Sequence, residues 1–215
     1  MSRARTSVEA IVLGSQEARA DRVITLLTEE QGRFPAFAKG AMSSTRRFGA
    51  HVEPLTRTQV ELSQGGAGMA RLLSASTVES HPVLKADLLR FSLASTMCEI
   101  VLHLVPEHGR EEGVFDLLRR ALMHLNRPEV EATEDHLLLF ELKMLALGGM
   151  LPELGQLRVD ASVQAVLEGW LSGTWQPLDR DGRGKLARQL ELRIQEASGR
   201  ALRSRAFLDQ MLDER

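Results

Sequence analysis

Up to about residue 80, apolar positions come in short runs and alternations broken by glycine and polar turn residues, which is the pattern of β-strands. VEAIVLG (8–14) is rich in β-branched residues and ends at Gly14. RVITLLTEE (22–30) and GRFPAFAKG (32–40) flank the turn signal Gln31-Gly32. HVEPLTRTQVEL (51–62) alternates through Val52, Thr56, Thr58 and Val60, and MARLLSASTVES (69–80) follows the turn cluster QGGAG. Five short strands with glycine-rich turns in about eighty residues predict a small closed or partly closed barrel. An OB-like barrel fits this size, and strand number alone leaves an SH3-like barrel open.

After Ser80-His81-Pro82 the period changes to that of helices, with Ser80 as a cap and Pro82 in a first turn. ADLLRFSLASTMCEIVLHLV (86–105) is apolar nearly all round and predicts a buried helix stopped by Pro106. VFDLLRRALMHLN (114–126) gathers Val114, Leu117, Leu118, Ala121, Leu122 and Leu125 on one face. TEDHLLLFELKMLALGG (133–149) reads as a helix capped by Thr133 and ended by Gly148-Gly149. DASVQAVLEGWLSG (160–173), GKLARQLELRIQEASG (184–199) and a short final SRAFLDQMLDE complete the set. The expected fold class is therefore α+β: a five-stranded β domain over 1–80 followed by an all-helical domain over 81–215.

With 43% hydrophobic and 26% charged residues, the 215-residue chain has the composition of a folded protein rather than a disordered one. A net charge of −2 hides strong local fields. Between residues 31 and 60, Arg33, Lys39, Arg46, Arg47 and Arg57 face only Glu53. From Met97 to Glu141 ten acids oppose four arginines, and from Arg183 to Arg205 seven bases oppose two acids. The lone Cys98 allows neither an internal disulfide nor a multi-cysteine zinc site. The N-terminal apolar run is too short, and broken by Glu9, for a signal peptide, and no apolar stretch approaches the ~20 residues of a membrane helix. A cytoplasmic protein is expected.

Catalytic chemistry is hard to find. Histidines 51, 81, 103, 108, 124 and 136 lack HExxH-type spacing. DRDG (179–182) fails as a calcium loop because Leu190 occupies its twelfth position. GGAG (65–68) lacks the lysine of a phosphate-binding loop, and Cys98 reads as a small core residue. No serine–histidine–acid or paired-carboxylate arrangement stands out, so no enzyme is expected.

FAKGAMSSTRRFGAH (37–51) is different, with a lysine, two adjacent arginines, small residues and no acid. Cations gain affinity for nucleic acid by releasing counterions from phosphates, and small residues let a backbone approach them. Phe34, Phe37 and Phe48 are the local rings able to stack bases, although the opposite parity of Phe34 and Phe37 sends at least one inward. From the residues alone, this segment is either a solvated turn or an anion site.

The order of segments along the chain resembles the RecO family of bacterial recombination mediators. EAIVLGSQEARADRVITLLTEEQGRFPAFAKGA (9–41) is similar to that family's N-terminus. HVEPLTRTQVEL and LLSASTVESHPVL fit its next strands and its entry into the helical domain. FELKMLALGGMLPEL (140–154) and GRALRSRAFLDQML (199–212) match later segments. The resemblance implies an N-terminal OB fold and a helical C-terminal domain. It also implies binding of single- and double-stranded DNA, annealing of complementary strands, and contact with the C-terminal tail of single-strand DNA-binding protein. Partnership with RecR in loading RecA, and a cytoplasmic, nucleoid-associated location, complete the implied role.

Lys39, Arg46 and Arg47 match the family's basic loop. Arg33, Arg57 and Phe48 are the neighbouring DNA-binding candidates, and Arg203 and Arg205 of the RSR segment are more distant ones. Many relatives carry a four-cysteine zinc module just after "PEL". Here Leu157 stands where the first cysteine would fall, so no structural zinc or other cofactor is expected. The alternative to a DNA-binding mediator is an OB-fold protein-binding adaptor without significant DNA affinity. A hydrolase would need a catalytic constellation that the chain does not display.

Overall fold

The computed structural model describes residues 5–41, 44, 46–63 and 69–213. Met42, Ser43 and Thr45 of the basic loop, the QGGAG turn and residues 1–4 lie outside the described residues. Strands β1 (Arg5–Ala18), β2 (Asp21–Thr28), β3 (Gly32–Ala38), β4 (Arg57–Ser63) and β5 (Ala70–Glu79) close a barrel in the order β1-β2-β3-β5-β4. All neighbours are antiparallel except β3 and β5, which run parallel and close the barrel. This is an OB-fold barrel. The expected strand at 51–62 is shorter than its alternation predicts. Gly49–Val52 forms a 3-10 turn, which sends Phe48 and Val52 into the barrel core before β4 begins.

Strand β1 explains why an unbroken apolar run belongs to a barrel. Ala10 and Val12 point into the barrel core with Ile24, Leu26 and Phe34, whereas Ile11 and Leu13 point outward into the helical core. Successive side chains of a strand lie on opposite faces, so a strand covered on both sides must be apolar at every position.

Helices α1 (Pro82–Ala86), α2 (Leu88–Leu104), α3 (Val114–Leu125), α4 (Glu134–Leu147), α5 (Ala161–Ser172), α6 (Arg180–Ser198) and α7 (Arg203–Asp213) follow. Helix α2 begins where the Asp87 carboxylate accepts the Arg90 N–H at 2.9 Å. It is the central helix, burying Leu93, Ala94, Met97, Ile100 and Val101, and α4 and α7 pack against it. Leu27 of β2 and Leu55 join the same cluster, so the helical core continues onto the outer wall of the barrel.

Polar contacts fasten this junction. Arg33 Nε donates to Val105 O at 2.8 Å, and His108 N donates to Arg33 O at 2.7 Å. His81, in a left-handed conformation, holds its Nδ1 at 2.7 Å from Leu55 O, and Lys85 Nζ donates to Thr56 Oγ1 at 2.8 Å. Burial lowers the pKa of His81, so a neutral ring with Nδ1–H donating is the form that fits. Gly32 has a φ of +65°, and a Cβ there would stand 1.9 Å from Gly109 O, so the close approach of β3 to the turn after α2 requires glycine.

Among the described residues no helix is long and apolar enough to cross a membrane, and no cluster of histidine, cysteine and carboxylate residues is placed to hold a metal ion. Leu157 is buried in the helical core. Cys98 is buried in α2, where desolvation pushes its thiol up to about 12 and keeps it neutral. These residues do not fit a four-thiolate zinc centre.

Candidate nucleic-acid interface

The basic segment after β3 is anchored at several points. Gly40, at a φ of +67°, turns the chain, and its N–H donates to the Asp21 carboxylate at 2.6 Å. Phe48 is 1% exposed and belongs to the barrel core, so it acts as the plug that seats the loop. The carbonyl of Arg47 accepts the Ala75 N–H of β5 at 3.1 Å. Arg47 Nε donates to Ser44 Oγ at 2.8 Å, and its guanidinium carbon lies 5.0 Å from the Phe48 ring centroid. Lys39, Arg46 and Arg47 are exposed cations on this anchored backbone.

The barrel register adds two groups. Phe37 of β3 is directly opposite Arg71 of β5, so both project from the outer wall on the same side. Phe37 is half-buried, and Arg71 is exposed. Lys39 follows the last residue of β3 and is exposed in the turn that leaves the strand. Arg71 lies four residues before Ala75 on β5, about 13 Å at ~3.3 Å per residue. Lys39, Phe37, Arg71 and Arg47 therefore border one side of the barrel. Arg71 was invisible to sequence reading, because its register with Phe37 depends on a parallel pairing across an intervening strand. The signal available was the exposed parity of Arg71 within an otherwise apolar RLL.

The other candidates sit elsewhere. The Arg33 side chain is committed to Val105 O at the barrel–helix junction, and Arg57 pairs with Glu9 at 2.9 Å. Phe34 is in the barrel core and stacks against His108 at 6.2 Å. Burial makes Phe48 a support for the loop and takes its ring away from any base. The same correction applies to Arg205, which is 7% exposed. It pairs with Glu134, with Asp209 at 3.2 Å and with Glu141 at 3.8 Å, fastening α7 to α4. Arg203 remains exposed, with its backbone N–H donating to Glu99 at 2.9 Å.

The helical domain holds a second candidate surface, a groove of about 800 Å³ between α3, α4 and the segment before α6. Its body is apolar, with Met97, Leu125, Leu139 and Phe140, and its rim carries Arg119, Arg120, Arg127 and Lys143 against Glu131. Asp116 neutralises part of this rim by pairing with Arg119 and, at 2.6 Å, with Arg120. Arg127 and Lys143 have no carboxylate partner among the described residues. His124, His136 and Trp175 form an aromatic ladder along the groove, with ring centroids 5.1 and 5.0 Å apart. Burial lowers the pKa of both histidines, and Arg127 and Arg90 lower that of His124 further.

The molecule thus joins an OB barrel with a tethered basic segment to a helical domain with a cation-rimmed apolar groove. Comparison with known proteins supplies the family. The model for the N-terminal domain of recombination protein O matches residues 1–81, and that for its C-terminal domain matches residues 85–156. The chain belongs to the RecO family.

It is 35% identical over 150 residues to the DNA repair protein RecO of Syntrophotalea carbinolica, covering 69% of this chain and 57% of that protein. It is 36% identical over 152 residues to that of Anaeromyxobacter dehalogenans, covering 70% and 59%. For Heliobacterium modesticaldum the identity is 38% over 149 residues, covering 68% and 52%. The matches thus span between about half and three fifths of these relatives' own length.

Proposed function

We propose that this protein is a non-enzymatic recombination mediator in DNA repair, in which residues 1–80 form the DNA-binding unit and residues 81–215 the protein-docking unit. Lys39, Arg46, Arg47 and Arg71 hold the phosphates of a single strand, with Phe37 as the ring able to stack a base. Neutralising those phosphates lets a complementary strand approach, which is the step that annealing requires. Single- and double-stranded DNA are the expected ligands. The observation that supports this reading is the pair of ties flanking the exposed cations, Gly40 N–H to Asp21 and Ala75 N–H to Arg47 O, which hold both ends of the basic segment against the barrel.

The groove in the helical domain is the proposed dock for the acidic, apolar-ended tail of single-strand DNA-binding protein. Its apolar body, and Arg127 and Lys143, which have no carboxylate partner among the described residues, support that assignment. Family membership supports the further role of loading RecA together with RecR, in the cytoplasm. The test is annealing of complementary oligonucleotides by wild type and by the Lys39→Ala, Arg46→Ala, Arg47→Ala triple variant. Annealing is expected to collapse in the variant while its fold stays intact, and full annealing by the triple variant overturns the assignment of the loop. A protein that neither anneals nor binds DNA would instead be the adaptor.

A further inference from the structure

We propose that Trp175 determines which peptide end the helical groove accepts, by packing against the apolar terminus of an acidic C-terminal segment; this rests on the reading of the groove as a peptide dock. Trp175 is 47% exposed, an unusual position for an indole that is held so firmly. Its ring stacks on Trp170 at 5.4 Å with an interplanar angle of 7°, and on His136 at 5.0 Å.

The strap bearing it is fastened on both sides. Trp170, 1% exposed, donates from Nε1 to Gln176 O at 2.8 Å. Asp135, fully buried in α4, accepts the Leu178 N–H at 3.1 Å and the Arg183 Nε–H at 2.6 Å. On the near side, Gly169 O accepts the Thr174 N–H at 2.7 Å.

A ring fixed in this way presents apolar surface to the groove without having to be ordered on binding, which lowers the entropic cost of association. An exposed, preorganised aromatic beside an apolar channel is a place for another apolar group, and aromatic side chains recur as anchors of binding surfaces. The charge of the rim fixes the rest of the occupant. Arg127 and Lys143 lack carboxylate partners among the described residues and call for acidic residues and a free carboxylate, while Leu139, Phe140 and Trp175 call for an apolar end. The strap also lies beyond residues 85–156, which the C-terminal family model matches. This wall of the groove is therefore supplied by a part of the chain outside the matched region.

The test is a double-mutant cycle. A fluorescein-labelled peptide carrying the C-terminal residues of the organism's single-strand DNA-binding protein, and a second with its last residue changed to alanine, are titrated by fluorescence anisotropy. The proteins are wild type, Trp175→Ala, Trp175→Phe and Lys143→Ala, with circular dichroism and thermal melting checking the fold. Trp175→Ala is expected to weaken the natural peptide about tenfold, with Trp175→Phe restoring most of the loss. The alanine-ended peptide is expected to bind wild type and Trp175→Ala alike.

If Trp175→Ala binds the natural peptide as wild type does while Lys143→Ala is weakened, the dock stands and the role of Trp175 is overturned. Equal weakening of both peptides by Trp175→Ala reduces the residue to a structural support, which also overturns the proposal. Failure of wild type to bind either peptide removes the dock itself.

Discussion

The guanidinium of Arg47 lies 5.0 Å from the ring centroid of Phe48, so that an exposed cation rests on a side chain sealed inside the barrel. The two neighbours therefore have separable roles. Phe48→Ala opens a cavity in the barrel core and is expected to cost about 3–5 kcal/mol of stability. Arg47→Ala is expected to leave stability within about 0.5 kcal/mol while weakening DNA binding. Chemical denaturation and DNA titration of the two variants check the division. A stable Phe48→Ala protein with weakened DNA binding would contradict it.

Gly32→Ala is expected to destabilise the protein by more than about 2 kcal/mol, because a left-handed backbone and a Cβ 1.9 Å from Gly109 O act together. The strain falls at the contact between barrel and helices, far from the basic loop. The midpoint of urea unfolding should drop, and DNA affinity of the folded fraction should be retained.

Glu141 ties stability to pH. Burial pushes its carboxyl up to about 8, outweighing the attraction of Arg205, and neither of its oxygens has a hydrogen-bond partner among the described residues. A folded-state pKa above the unfolded value of 4.5 gives a contribution fully present below that value. It is lost as pH rises towards about 8. Glu141→Gln stays neutral throughout, so its stability relative to wild type should rise between pH 6 and pH 9. Denaturation midpoints across that range check this, and a constant difference would contradict it.

The fold was legible where a periodicity repeats and illegible where a single residue departs from it. Alternation and glycine turns marked β2, β3 and β5 nearly to their ends, but the strand read over 8–14 runs through Gly14 and spans Arg5–Ala18. The change at Ser80-His81-Pro82 marked the start of the helices at Pro82. The stretch 51–62 misled because Val52 continues the parity of β4 but belongs to a 3-10 turn, where the backbone rather than the pleat turns it inward. Phe48 looked like a stacking ring because it sits among polar residues, and only its burial in the barrel core shows that it is a plug. Arg205 looked like a surface cation because RSR is charged. Its burial follows from Glu134 and Glu141, which lie more than sixty residues earlier. Trp175 gave no signal at all, because its partners Trp170 and His136 are assembled by packing and not by spacing.

The groove histidines predict proton uptake on binding an acidic peptide. Burial holds His124 and His136 below the usual range in the free protein. His124 faces Arg127, Arg90 and Glu129, and His136 faces His124, Asp135 and Arg90. Carboxylates entering the groove stabilise the protonated rings, so both pKa values rise in the complex. Affinity should accordingly increase as pH falls from 8 to 6. Anisotropy titrations at the two ends check this, and His124→Gln is expected to flatten the dependence.

The most direct measurement of the central claim is the dependence of single-stranded DNA affinity on salt. Each phosphate contact contributes about 0.7 to the slope of log affinity against log salt concentration on a single strand. Losing Lys39, Arg46 and Arg47 should then reduce the slope by about 2 and weaken binding uniformly across sequences. A triple variant that binds with the affinity and salt slope of wild type would contradict a DNA-binding role for the loop.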